Sequence, residues 1–190
     1  MLRVEDQIRK LAALTSFVLM ATAEALAQDN QARPARRVVV SIPDRKLAVM
    51  ESGRVVKIFS TAVGAPESPS PSGVFQIVTS ISDPTWYTKG KIVAPGPSNP
   101  LGPHWLGLSL KGYGIHGTSN PASIGHNASH GCIRLRNSDI RELAQMVQVG
   151  DAVELHAERT PETEQIFGQT AVTTQAAAQA LAPAGVGASQ

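Results

Sequence analysis

Several things are scarce in this 190-residue chain, and each scarcity narrows its chemistry. The formal net charge is only +2, with 17 basic and 15 acidic residues scattered along the sequence. So small a surplus excludes the basic footprint of a nucleic-acid binder. A single cysteine, Cys132, excludes an internal disulfide. The thiol is therefore inert and buried, half of an intermolecular bridge, or reactive. No apolar run reaches the roughly 20 residues of a comfortable permanent membrane span. Leu11 to Ala23 comes nearest. Aromatic residues make up 4% of the chain, and neither repeats nor a second domain are visible.

What is present begins with a leader. Arg3, Arg9 and Lys10 precede that apolar run, and Ala25-Leu26-Ala27 offers a small-x-small cleavage pattern. Residues 1–27 therefore read as a signal peptide, with export to the periplasm or cell envelope and no stable membrane span after cleavage. The rival readings are an uncleaved anchor and a buried amphipathic helix. Arg3, Arg9 and Lys10 balance Glu5, Asp6 and Glu24, so removing the leader leaves the net charge at +2. A polar lead over 28–36, expected to be disordered, precedes one domain over 37–157. Beyond it, 158–190 turns rich in Pro, Gln, Thr and Ala and is expected to be a disordered low-complexity tail.

The domain reads as mainly β, a β-sandwich-like packing. β-branched runs at 38–42, 46–50, 54–63 and 73–79 are separated by Gly- and Ser-bearing turns and by no helical pattern, which predicts antiparallel strands. Asp83 to Pro103 is a Pro/Gly-rich loop carrying Trp86 and Tyr87. A stiff loop of that length either lids a cleft or is a structural Ω-loop. One short helix follows Cys132, with Asn137 or Ser138 as N-cap and Ile140, Leu143, Ala144, Met146 and Val147 as its apolar stripe. Residues 152–156 supply a final strand.

Between Ile115 and Leu135 lie the cysteine, three of the five histidines and three glycines. Thiol-based acyl transfer needs these residue types: a thiolate attacks a carbonyl, an imidazole moves protons, and backbone N–H groups beside glycine approach the oxyanion closely. His116, at the end of a strand, is the candidate base facing Cys132 across a loop. No carboxylate lies between them, so the orienting group is a backbone carbonyl, such as that of Gly117, or a hydroxyl. A thiolate populated near neutral pH is expected.

Residues 37–157 resemble the L,D-transpeptidase family, the YkuD domain. The motifs that carry the likeness are Ile115-His116-Gly117-Thr118, Ser129-His130-Gly131-Cys132, Pro71-Ser72-Gly73 and the Pro-Gly-Pro-x-Asn-Pro-Leu-Gly run at 95–102. The resemblance implies Cys132 as nucleophile, His116 as proton donor and acceptor, and Gly117 as the carbonyl that orients His116. It places His130 and Gly131 in the motif and makes the amides around Gly131 and Cys132 the oxyanion hole. Arg134, Ser129, Trp86 and Tyr87 are candidate substrate contacts. The implied substrates are peptidoglycan stem peptides. A thioacyl-enzyme forms with release of D-alanine and passes to an amine, giving a 3→3 crosslink or the attachment of an envelope protein. No metal or cofactor is implied.

The alternatives are an L,D-carboxypeptidase, a non-catalytic wall-binding module and a general cysteine protease. A zinc site built from His116, His126, His130 and Cys132 is disfavoured, because the glycines make this segment a poor helix and no second ligand pair flanks it. His156 reads as a strand-face residue.

Overall fold

The computed structural model describes residues 36–88 and 90–168. The expected leader over 1–27, most of the lead over 28–36, and the chain beyond 168 lie outside the described residues. In the described part no helix is long and apolar enough to cross a membrane.

The β-branched runs become β1 (Arg36–Ser41), β2 (Lys46–Glu51) and β3 (Arg54–Ser60), an antiparallel meander. After β4 (Val63–Gly64) comes the long β5 (Gly73–Ser82). The hairpin β6 (Trp86–Thr88) and β7 (Lys91–Val93) follows, then β8 (His104–Leu108) and β9 (Gly114–His116). The chain continues through β10 (Asn127–Ser129), β11 (Ile133–Arg134), α1 (Asn137–Met146) and β12 (Ala152–His156). Eight strands form one sheet in the order β11-β9-β8-β5-β12-β1-β2-β3. Ala62, just past β3, bridges to Arg134 on the far edge, with both backbone bonds at 2.9 Å. The sheet thus curls until its ends meet, and its inner face encloses Val38, Val40, Leu47, Val49, Ile77, Leu106, Ile115 and Ile133. The mainly β expectation holds, in the form of one curled sheet. The final strand lies between β5 and β1, parallel to β1 and antiparallel to β5.

α1 buries Ile140 and Leu143 against this core. Its N-cap is Arg136, without a side-chain bond, so neither Asn137 nor Ser138 takes the expected capping role.

One boundary is corrected. The tail expected from 158 starts instead with a helix over residues 161–168. Thr160 and Thr163 form a reciprocal cap: Thr163 N–H reaches Thr160 Oγ1 at 3.2 Å, and Thr160 N–H reaches Thr163 Oγ1 at 2.8 Å. Pro161 fits the first helical turn, where no N–H is required. Ile166 and Phe167 pack on Val39, Ala48 and Met50, on the outer face of β1 and β2. Arg37 ties the helix down through Glu162 and bonds Glu154 at 2.7 Å. This explains why Val38-Val39-Val40 is a continuous apolar run: both faces of the strand are covered. Phe167 is 4% exposed, and Phe167→Ala is expected to cost about 3 kcal/mol of stability. A urea titration matching wild type would show that the helix adds nothing to the fold.

Candidate active site

Strand periodicity builds the site. On β8, β9 and β11, Leu106, Ile115 and Ile133 point into the core, so their neighbours face the other way. Trp105 pairs with His116, and His116 with Arg134. One row across three strands therefore presents an indole, an imidazole and a guanidinium to a single cleft. That cleft, about 730 Å³, is also lined by Cys132, His130, Gly112, Leu101, Trp86, Tyr87 and Ile81. Of the residues expected at the site, Cys132, His116, His130, Arg134, Trp86 and Tyr87 line this cleft, whereas Gly117, Ser129 and Gly131 stand behind it.

Ser129 is 1% exposed, and its hydroxyl is engaged within the Cys132 turn. Ser129 Oγ donates to Cys132 O at 2.6 Å and accepts Gly131 N–H at 3.1 Å. Expected as a substrate contact, it instead shapes the turn that carries the thiol. Gly131 sits at φ +106°, and a Cβ there would lie 2.7 Å from the Tyr113 ring, so only glycine fits. Because the Gly131 N–H is donated to Ser129, it does not face an oxyanion. The Cys132 N–H carries no hydrogen bond among the described residues and remains available.

The His116 ring is 5% exposed. Its Nδ1 meets Gly117 O at 2.6 Å, which sets the Nδ1–H tautomer and leaves Nε2 as the basic nitrogen. Trp105 stacks on the imidazole with centroids 5.5 Å apart. Burial pulls the His116 pKa down to about 4; the Gly117 carbonyl opposes this, Arg134 adds to it, and the Leu101 backbone opposes it.

Burial pushes the Cys132 thiol above its usual value, while a backbone hydrogen bond from Gly114 and the charge of Arg134 pull it back. Burial thus favours the neutral form of both groups, against the populated thiolate expected from sequence. Desolvation outweighs the nearby cation. The thiol rests 3.7 Å from Gly112 O.

The Gly114 contact follows from register. Leu108 N–H bonds Tyr113 O at 3.0 Å, so Gly114 and its partner Gly107 form a non-hydrogen-bonded pair. The Gly114 N–H consequently points away from β8, towards the Cys132 side. A Cβ on Gly114 would meet the Trp105 ring at 2.5 Å, and one on Gly107 would meet Trp105 Nε1 at 2.8 Å. Two glycines thus form the slot that seats the indole against His116.

The proline-rich loop is fastened from within. Asn99, fully buried, donates Nδ2 to Pro84 O at 2.8 Å and to the Val93 and Ala94 carbonyls, and its Oδ1 accepts Leu101 N–H at 2.9 Å. This holds the loop as the wall carrying Trp86 and Tyr87. Asn99→Ala is expected to raise KM severalfold with a smaller change in kcat. An unchanged KM in substrate titrations would detach the loop from binding.

Sequence alone gives no role to Trp105, Gly112, Gly114 or Asn99; an asparagine between prolines in a Pro/Gly-rich loop is the usable signal. His126 is exposed, and His104 is bonded to Ser80 at 2.9 Å. Three ligand-type side chains converge elsewhere, Glu154, His156 and Glu162. Arg37 bonds both carboxylates there, which makes the cluster an ion-pair network.

The profile of the YkuD family, described as the L,D-transpeptidase catalytic domain, matches residues 35–155. Among curated relatives, a Bacillus licheniformis protein assigned as L,D-transpeptidase YkuD is 41% identical over 119 residues, covering 63% of this chain and 64% of that one. The chain thus spans just under two thirds of that relative's length. An L,D-transpeptidase from Mycobacterium smegmatis superposes with a TM-score of 0.55 at 25% identity, covering 65% of this chain and 59% of the other. The catalytic domain of an Enterococcus faecium L,D-transpeptidase gives 0.53 at 25% identity, covering 64% and 96%.

Proposed function

This chain belongs to the YkuD family of L,D-transpeptidase catalytic domains, and from that premise we propose that it is a cysteine-dependent transpeptidase acting on peptidoglycan stem peptides. The observation that carries the reading is the convergence on one cleft of the Cys132 thiol and a buried His116 held by Gly117 O at 2.6 Å.

In the first half-reaction His116 Nε2 takes the proton from Cys132 as Sγ attacks the carbonyl of the L-centre at stem position three. The oxyanion develops towards the Cys132 N–H. Collapse breaks the amide bond, His116 returns the proton to the leaving amine, and D-alanine departs. In the second half-reaction His116 takes a proton from an acceptor amine as that amine attacks the thioester, and the regenerated thiolate is reprotonated. Proton transfer concerted with attack suits a neutral pair, because no charged resting state has to be maintained in a buried site. Arg134, the charged group in the lining, suits a substrate carboxylate, and Trp86 and Tyr87 offer apolar faces to the stem. The leader-like residues 1–27 support a place in the cell envelope.

The test is to incubate the protein with disaccharide-tetrapeptide and weigh the products. Loss of D-alanine with dimers identifies crosslinking, and simple tripeptides identify hydrolysis. Product coupled to an added envelope protein identifies attachment. A tetrapeptide returned intact under all these conditions overturns the reading in favour of a wall-binding module. A carbapenem, whose strained carbonyl a thiol can open, is expected to add its mass to the wild-type protein but not to Cys132→Ala.

A further inference from the structure

Beside the cleft, three segments meet at one side-chain oxygen. Asn137 Oδ1 accepts the Thr118 N–H at 2.8 Å. A Cβ on Gly102 or on Gly117 would come within 2.5 Å of that same oxygen, and one on Gly102 within 2.7 Å of Gly117 Cα. Both positions are therefore closed to any side chain while Asn137 keeps its place. Asn137 opens α1 without capping it, so its amide oxygen serves the turn after β9 and not the helix.

The Thr118 N–H and the Gly117 C=O belong to the same planar peptide unit. Its N–H is held by Asn137 and its carbonyl by His116 Nδ1 at 2.6 Å. Rotating that plane would break both bonds together. Donating the N–H also polarises the amide and makes its carbonyl the stronger acceptor. In a Ser-His-Asp arrangement a carboxylate orients the imidazole directly. Here no Asp or Glu lies between His116 and Cys132, and the charged group facing the ring is the cation of Arg134.

We propose that Asn137 is a positioning residue for the reaction. Acting through the Gly117–Thr118 peptide, it fixes the His116 imidazole in its Nδ1–H tautomer and leaves Nε2 for proton exchange at Cys132. The inference rests on the reading of His116 as the proton-transfer group.

Asn137→Ala and Asn137→Asp test it, with imidazole ¹⁵N resonances, steady-state kinetics and thermal melts measured on the full chain. In Asn137→Ala the hydrogen-bonded Nδ1 proton signal of His116 is lost into a tautomer mixture. kcat falls by about tenfold or more while KM stays within roughly threefold. Asn137→Asp keeps the acceptor oxygen and restores the tautomer and most of kcat. Its added negative charge favours the imidazolium, so the acid limb of kcat/KM moves to higher pH. An unchanged Nδ1–H signal in a folded Asn137→Ala protein overturns the proposal. Should that variant fail to fold, Asn137→Asp decides alone: a wild-type acid limb, or a lost tautomer, overturns it. The resonances need no substrate, so failure of wild type to release D-alanine removes the functional reading while the clamp is still judged by the imidazole.

Discussion

Cys132→Ala leaves the tetrapeptide intact and the melting curve close to that of wild type. The chain holds no second thiol that could substitute. An alanine methyl can neither attack a carbonyl nor leave from a thioester, so the covalent route closes altogether and does not merely slow. The cost to the fold is small for a geometric reason. The turn is built by Ser129 Oγ on the Cys132 carbonyl and on the Gly131 N–H, and alanine keeps that backbone. The thiol itself is only partly buried, with a long 3.7 Å contact to Gly112 O. Mass spectrometry of the digest reads the outcome directly. Turnover near the wild-type rate would sink the nucleophile assignment, and a collapsed melt would show the thiol to be structural.

His116→Gln carries the second large effect, a loss of about 10² to 10⁴ in kcat/KM, the range for a positioned general base. The wild-type pH profile adds a sharper signature. With the imidazole at about 4, kcat/KM stays high as the pH drops through 6 and falls only as His116 protonates near 4. An acid limb near 6.5 would mean that the free enzyme's imidazole is hydrated and not buried. Stability moves with the same titration. His116 is neutral in the folded protein down to about 4, whereas an unfolded histidine protonates near 6.5. The unfolded state therefore binds more protons between those values. Stability from this group is fully present above 6.5 and is lost as the pH falls towards 4. Melts of wild type and His116→Gln across that window should differ in slope, wild type losing more on acidification. Parallel slopes would show that His116 is not held neutral.

Much of the site was legible because its chemistry is local in sequence. Ile115-His116-Gly117 encodes an inward apolar residue, an outward imidazole and a carbonyl within reach of it, and strand periodicity alone supplies that order. Ser129-His130-Gly131-Cys132 announces a tight turn with a thiol. The strands of the meander were legible for the same reason. What stayed hidden depends on neighbours distant in the chain. Trp105 reaches His116 only because β8 and β9 place them as register partners, in a slot left by Gly107 and Gly114. Ser129 looks like a hydroxyl for substrate until the turn folds around it. The expectation of a populated thiolate looks to the histidines near Cys132 in sequence, which does not display the burial that pushes the thiol up. The helix over 161–168 is hard to see in sequence because a local pattern sits inside a stretch of contrary average composition. Thr160-Pro161-Glu162-Thr163 is a start signal, and Ile166-Phe167 an anchor, that the surrounding Gln and Ala diluted.

The place of β12 in the sheet governs when the protein can fold. Val38 on β1 pairs with Val153, and Phe75 on β5 pairs with that same residue. Along the strand order the two halves of the sheet meet at a strand near the end of the described chain, while the Ala62–Arg134 bridge closes the opposite ends. A polypeptide emerging from the ribosome can form the β1–β3 meander early, yet the ladder between β1 and β5 is filled only when residues 152–156 are free to insert. Contacts this distant in sequence fold slowly. The hydrogen-bonded sheet is therefore complete around β12 only after residues 152–156 have left the ribosome, although the pairings that carry His116 and Arg134 lie earlier in the chain.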